Sequence, residues 1–484
     1  MNILEYKKDK IQDLFPEDFL WGVAISAKQA EGIDDRAITV ADLQNYDPND
    51  KSKVKGDLSK DEIMDRLTHP DRYSFPKKTG IEFYHRYQED IKLLKEMGIR
   101  CFRFSISWAR IFPNGAENNP SEEGLQFYDH LLDLLHESKI EPIVTLYHDD
   151  MPINLALNYN GFMSKYVVDL FIKYAVLVMK RYQNKVTYWI PVNQINLTRV
   201  GLSSIGVIKD TVDDVEAIKW QGVHHKFIAC AKIKEAGKKI NTKFRFGAML
   251  ADFLVNPMTC QPEDVVFATE KNQMTMYFFA DVQLRGEYPG YALRYFKDHD
   301  IKIDVEEDEL ALIQEHTLDF LAISYYNSNV VNHKKNTMAI GNSELNPYLK
   351  ANPWGWTINP LGLYDCFLNY WDRYEKPLMI AENGFGQIEE LNEEHTVHDD
   401  YRIEYIKEHI KALQKAIQHG VHVFAYCAWS PIDMVSSGTS EMKKRYGFVY
   451  NDQDDEGKGT HHRYPKDSYW WYRDVILSNA KDLE

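Results

Sequence analysis

The sequence predicts an α/β protein, a single (β/α)8 TIM barrel with long strand-to-helix loops. Two observations carry this. Short apolar runs rich in β-branched and aromatic residues recur along the chain, and stretches with helical periodicity separate them. In addition, no proline- or serine-rich linker divides the 484 residues. The whole of 1–484 is therefore expected to form one domain, a length that α/β barrels reach.

The apolar runs are, in order, FLWGVAIS (19–26), RCFRFSIS (100–107), EPIVTLY (141–147), VTYWIPVN (186–193), FRFGAML (244–250), DFLAISYY (319–326), PLMIAEN (377–383) and HVFAYCAWS (422–430). Each reads as a strand buried on both faces, as in a parallel sheet. The first helix, EFYHRYQEDIKLLKEMG (82–98), places apolar residues at i, i+3, i+4 and i+7 and stops at a glycine. The segments 121–138, 163–182, 214–236, 362–374 and 401–419 behave alike. Eight strands alternating with helices favour a closed barrel over an open sheet. Two polar stretches, 45–78 and 328–352, read as long excursions on one rim. The stretch 452–459, DQDDEGKG, reads as a solvated charged turn.

The net charge of -16 argues against nucleic acid or an anionic membrane as partner, because both need a basic surface. No apolar stretch is long enough to span a bilayer. The start, MNILEYKKDKIQDLF, lacks the apolar core of a secretory signal, so a cytoplasmic location is expected. Five scattered cysteines with no CxxC pair read as buried free thiols. Aromatic residues make up 13% of the chain, which suits a ligand cleft lined with rings. A homo-oligomer is compatible with the sequence.

In a barrel the chemistry sits at the C-terminal ends of the strands. Those ends carry Gln29, Arg103, His148 with Asp149 and Asp150, Asn193 with Gln194, Tyr326, Glu382 and Trp429. One polar group at a strand end is usually a cap; a full ring of them points to a site.

Seven ordered motifs give the chain a resemblance to glycoside hydrolase family 1. They are FLWGVAISAKQAEG, FRFSISWARIFPNG, LYHDDMP, VNQIN, IAENGFG, WGWTINPLGL and WSPIDM, which span nearly the whole length. The resemblance implies a retaining β-glycosidase that needs no metal or cofactor. Such an enzyme uses two carboxyls about 5–5.5 Å apart, one as nucleophile and one as acid and then base. By resemblance Glu382 is the nucleophile, Arg103 hydrogen-bonds it and Tyr326 orients it. Gln29, His148, Asn193 and Trp429 would hold the sugar, with Asn193 on the 2-hydroxyl. Trp354 or Trp356 would line the leaving-group side, unless they are core residues.

The second carboxyl is missing: the position of the acid/base holds Gln194. An amide neither protonates a leaving group nor activates water, and losing that help costs about 10²–10⁴-fold. Three readings remain open. The chain cleaves substrates whose leaving group needs no proton, as myrosinases do with thioglucosides; another acid has taken over; or the Gln was introduced to trap a substrate. Asp149 stands in a slot that the family usually fills with an aromatic residue, so it is the candidate replacement acid, or else only a polar loop substitution.

The last loop, SPIDMVSSGTSEMKKRYGF (430–448), bears on specificity. Where family members for plain glucosides carry Glu-Trp, this chain has Ser436 and Ser437, followed by Lys443, Lys444, Arg445 and Tyr446. The 6-phospho-β-glucosidases and 6-phospho-β-galactosidases of the family hold the phosphate with a Ser, a Lys and a Tyr, here matched by Ser436 or Ser437, Lys444 and Tyr446. A dianion needs donors and a cation rather than a carboxylate. The bland alternative is a solvated basic turn. Serine rather than tryptophan at 437 favours the gluco form. The expected substrate is a phosphorylated β-glycoside, a disaccharide or aryl glucoside. The alternatives are a non-catalytic phosphosugar-binding relative and a hydrolase limited to good leaving groups such as thioglycosides.

Overall fold

The eight strands form where the apolar runs lie. In the computed structural model, which describes residues 13–49 and 56–483, they are β1 (Leu20–Ala24), β2 (Cys101–Ser105), β3 (Glu141–Tyr147), β4 (Tyr188–Val192), β5 (Arg245–Ala251), β6 (Phe320–Tyr325), β7 (Leu378–Asn383) and β8 (Val423–Trp429). Every neighbouring pair is parallel, and β8 returns to pair with β1, so the sheet closes as a barrel in sequence order. Most strand residues are buried, as expected of a sheet covered on both faces. Gly22 is needed where β1 passes β2: a Cβ there would lie 2.2 Å from the Cys101 carbonyl oxygen. The Cys101 and Cys427 sulfurs, on either side of β1, lie 3.7 Å apart as free thiols. Cys230 and Cys366 are also buried, whereas Cys260 is exposed, contrary to the expectation of buried thiols throughout.

The outer helices are α1 (Phe83–Glu96), α2 (Glu122–Glu137), α3 (Lys165–Arg181), α4 (Val215–Ile240), α5 (Phe278–Arg285), α6 (Pro360–Tyr374), α7 (Asp400–Gln418) and α8 (Asp467–Ser478). Local chemistry starts several of them. Ser121, Asp214 and Asn359 accept a backbone N–H three residues on, and a proline opens α6. The sequence reading missed α5 and α8, and also the helices Pro262–Asn272, Gly290–Asp298 and Glu307–Glu315 between β5 and β6. Residues Phe278–Leu284 are all buried, so α5 has no polar face and no helical stripe to detect. The main apolar core is one cluster running from Phe15 to Ala480, and a small separate cluster holds Val255, Ala268 and Val331.

The long loops gather at the C-terminal ends of the strands. The β1–α1 excursion contains a helix at Lys60–Thr68, and the loop after β6 pairs Asn329–Val331 with Val255–Pro257. The expectation for the N-terminal stretch lies mostly, and that for 45–78 partly, outside the described residues. Among the described residues no helix is long and apolar enough to cross a membrane.

Candidate active site

Glu382 stands near the end of β7, buried in the barrel mouth, with three donors on its carboxylate. Arg103 Nη1 donates to Oε1 at 2.6 Å, and the Tyr326 hydroxyl donates to Oε2 at 2.8 Å. The third is the Gln194 amide, whose Nε2 lies 3.2 Å from Oε2 and 2.7 Å from the Ser324 hydroxyl. Strand register explains the grouping: Ser324 of β6 is the direct neighbour of Glu382 on β7. Burial, then the negative charge of Glu382, drives the Tyr326 phenol well above its ordinary range, so it remains a donor.

Arg103 is fully buried beneath this carboxylate and ties three strands together. Besides Glu382 it donates to Asn193 Oδ1 at 2.5 Å and to the Thr145 hydroxyl at 3.1 Å. Asn193 is therefore held by its carbonyl, which leaves its buried Nδ2 group without a protein partner. His148 Nδ1 is likewise buried and unpartnered. Burial, with Lys28 and Arg103 nearby, pushes the His148 imidazole well below its ordinary range, so the ring is neutral at pH 7. Its ring centre lies 6.1 Å from that of Trp429.

A cavity of about 350 Å³ opens above Glu382. Gln29, His148, Gln194, Tyr326, Trp356 and Trp429 line it. Ser436, Ser437, Lys444 and Tyr446 line it as well. The Lys-Lys-Arg run divides three ways. Lys443 turns outward between Glu441 and Asp455, at 3.4 Å from each. Lys444 is buried in the cavity wall with its ammonium 3.9 Å from the centre of the Trp356 ring, a cation–π contact. Arg445 is spent on the scaffold, donating to Asp433 and to the carbonyls of Asn451 and Gln453. The run is therefore not a solvated turn. Gly386 makes room for it, since a Cβ there would press within 3.0 Å of Lys444 Cγ and 3.1 Å of Tyr446 Cζ.

A family model described as "Glycosyl hydrolase family 1" matches residues 11–481. The chain belongs to that family. Among curated family members, an aryl-phospho-β-D-glucosidase, BglH of Bacillus subtilis (strain 168), is 42% identical over 97% of this chain and 98% of its own length. A phospho-cellobiase of Klebsiella oxytoca is 41% identical over 97% and 99%. The 6-phospho-β-glucosidase AscB of Escherichia coli (strain K12) is 39% identical over 97% and 100%. Among solved structures, a family 1 β-glucosidase from Thermotoga maritima superposes with a TM-score of 0.82 at 27% identity, covering 96% of this chain and 98% of that one.

Within this family 1 barrel, several of the residues singled out from the sequence, Trp354 among them, lie off the cavity wall. Arg103 and Asn193 sit underneath it. Asp149, weighed as a replacement acid, lies in an adjoining cavity of about 550 Å³ rather than beside Glu382. The reason is local: Asp149 adopts a left-handed φ of 55° after His148, and its Oδ2 faces Lys28 Nζ at 3.8 Å. Trp354 donates its indole N–H to Glu441. Sequence reasoning did not name Ser324, Asn327, Phe253 or Asp252, which also line the Glu382 cavity. A signal for Ser324 existed, since it stands two residues before Tyr326 and so shares the inward face of its strand. Among the described residues, no cluster of His, Cys, Asp and Glu could hold a metal ion.

Proposed function

We propose that this chain hydrolyses 6-phospho-β-glucosides with retention, Glu382 attacking the sugar C1 to form a covalent glycosyl intermediate. The observation that carries the reading is the shared cavity, lined both by the buried, donor-ringed carboxylate of Glu382 and by Lys444, Ser436, Ser437 and Tyr446. A cavity lined by both suits a sugar whose C1 meets the carboxylate while its C6 phosphate meets the ammonium. The names of the relatives, each acting on a phosphorylated β-glucoside, support the same substrate class. Arg103, Tyr326 and the Gln194 amide hold the carboxylate oxygens and orient one for attack. Neutral His148, in the cavity wall, binds a sugar hydroxyl, and Asn193 just beneath the wall has an unpartnered Nδ2 to offer another. A sugar phosphate does not cross a lipid bilayer unaided and is made where phosphoryl donors are, which supports a cytoplasmic reaction.

Gln194 favours a narrower form of this activity. It reaches Glu382 as a hydrogen-bond donor and carries no proton to give the leaving oxygen. We therefore expect aryl leaving groups, which depart as stable anions, to be cleaved, with the glycosyl enzyme then accumulating because no base activates water. The test uses a dinitrophenyl 6-phospho-β-glucoside and an alkyl one, with and without azide. A burst of dinitrophenol, acceleration by azide, capture of a β-glycosyl azide and no alkyl cleavage are expected. Equal turnover of both substrates without azide would show a working acid elsewhere. Tighter binding of unphosphorylated than of phosphorylated glucosides would sink the substrate assignment.

A further inference from the structure

Resting on the phosphate reading above, we propose that Asp455 and Lys77 are positioning residues that preset the 436–446 loop for the sugar phosphate. This loop does little to hold itself. Two backbone bonds fold it back, Ser436 N–H to the Glu441 carbonyl at 2.9 Å and Ser440 N–H to the Ser436 carbonyl at 3.0 Å. Its shape between those bonds and Lys444 is set from outside.

Asp455 belongs to the turn that looks merely solvated in the sequence. Its Oδ1 accepts the successive backbone N–H groups of Met442 at 2.6 Å and Lys443 at 2.8 Å. Its Oδ2 accepts the Tyr46 hydroxyl at 2.7 Å. Two consecutive amides on one charged oxygen fix the peptide planes immediately before Lys444. Lys77 grips the other end. It is fully buried and donates to the Ser437 carbonyl at 2.8 Å and to the Gln44 side chain. Tyr46 and Lys77 both come from the β1–α1 excursion, which thereby buttresses the loop after β8 at two points. Neither Asp455 nor Lys77 lines the Glu382 cavity. Their effect runs through the loop: a preset loop spares the phosphate the cost of ordering it on binding.

The proposal predicts a split between binding and chemistry. Asp455→Ala and Lys77→Met should each raise KM for an aryl 6-phospho-β-glucoside, and Kd for glucose 6-phosphate, by about tenfold, the size of one lost charged hydrogen bond. kcat, and kcat/KM for the unphosphorylated aryl glucoside, should stay unchanged. Asp455→Asn keeps an oxygen that can accept both N–H groups and should recover most of the loss. If Lys77→Met fails to fold, the Asp455→Ala and Asp455→Asn pair decides alone. Equal losses on both substrates, or a fall in kcat at constant KM, would mean a general structural role and overturn the proposal. Lys444→Ala separates the two levels. If it leaves the preference for phosphorylated substrate intact, the phosphate reading fails and this proposal with it. If it abolishes the preference while Asp455→Ala does not weaken phosphate binding, only this proposal fails.

Discussion

The two walls of the cavity are built in different ways. On the Glu382 side each group, in the wall or just beneath it, stands on a barrel strand or within two residues of its end, and ladder hydrogen bonds fix the strands: Arg103 on β2, Ser324 on β6, Glu382 on β7, and Asn193 and Gln194 just past β4. Ser436, Lys444 and Tyr446 instead ride on the loop after β8, whose shape is borrowed from buried charges. Asp433 shows how far that borrowing goes. Burial alone would raise its carboxyl, but Lys466, Arg445 and Arg402 outweigh burial and hold it below its usual range. Reaction chemistry needs positions good to a fraction of an ångström, which strands supply, whereas substrate choice can rest on a loop braced from behind.

Changing the strand wall should therefore alter rates, and changing the loop wall should alter preference. The largest expected effect is from Glu382→Gln, which should cut aryl 6-phospho-glucoside turnover by about 10⁴-fold or more while glucose 6-phosphate still binds; a stopped assay and calorimetry on one preparation check both halves. Gln194→Glu should raise cleavage of an alkyl 6-phospho-glucoside by about 10²–10⁴-fold and remove the azide effect, because it restores a proton carrier. A null result there would locate the acid elsewhere. Lys444→Ala should lower kcat/KM for the phosphorylated substrate by roughly 10–100-fold, the loss of a charged contact, and spare the unphosphorylated one. Competition between the two substrates reads this directly.

The smallest effect concerns stability at the strand wall. Burial pushes the Asp252 carboxyl up to about 7, against the pull of the Tyr370 hydroxyl 3.0 Å away. The unfolded chain sheds this proton near pH 4. Between about pH 4 and 7 deprotonation thus favours unfolding, so this group costs stability as pH rises through that window. Asp252→Asn removes the cost. Its Tm relative to the parent should climb between pH 4 and 8 by about 1–3 °C, and a flat difference across that range would refute the assignment.

Much of this was legible beforehand. The eight strands coincide with the apolar runs, β5 alone extending one residue past its run, because burial on both faces leaves a local mark, and six outer helices left an amphipathic one. α5 left none, being buried all round. The motif residues of the cavity were also legible, since resemblance acts position by position. The direction of Asp149 was not, because a left-handed backbone at one residue sends its side chain into the neighbouring cavity. Nor was the fate of Lys443, Lys444 and Arg445, which look identical as a charged run and end in three environments.

By itself, the sequence determined the barrel, the family resemblance, the nucleophile candidate and the amide standing in place of a second carboxyl, because each is written in local periodicity or in a short motif. Only the tertiary structure decided that Lys444 turns inward, that Asp149 turns away from Glu382, and that Tyr46, Lys77 and Asp455 converge behind the loop after β8. Those outcomes depend on contacts between segments hundreds of residues apart, and no window of sequence contains them.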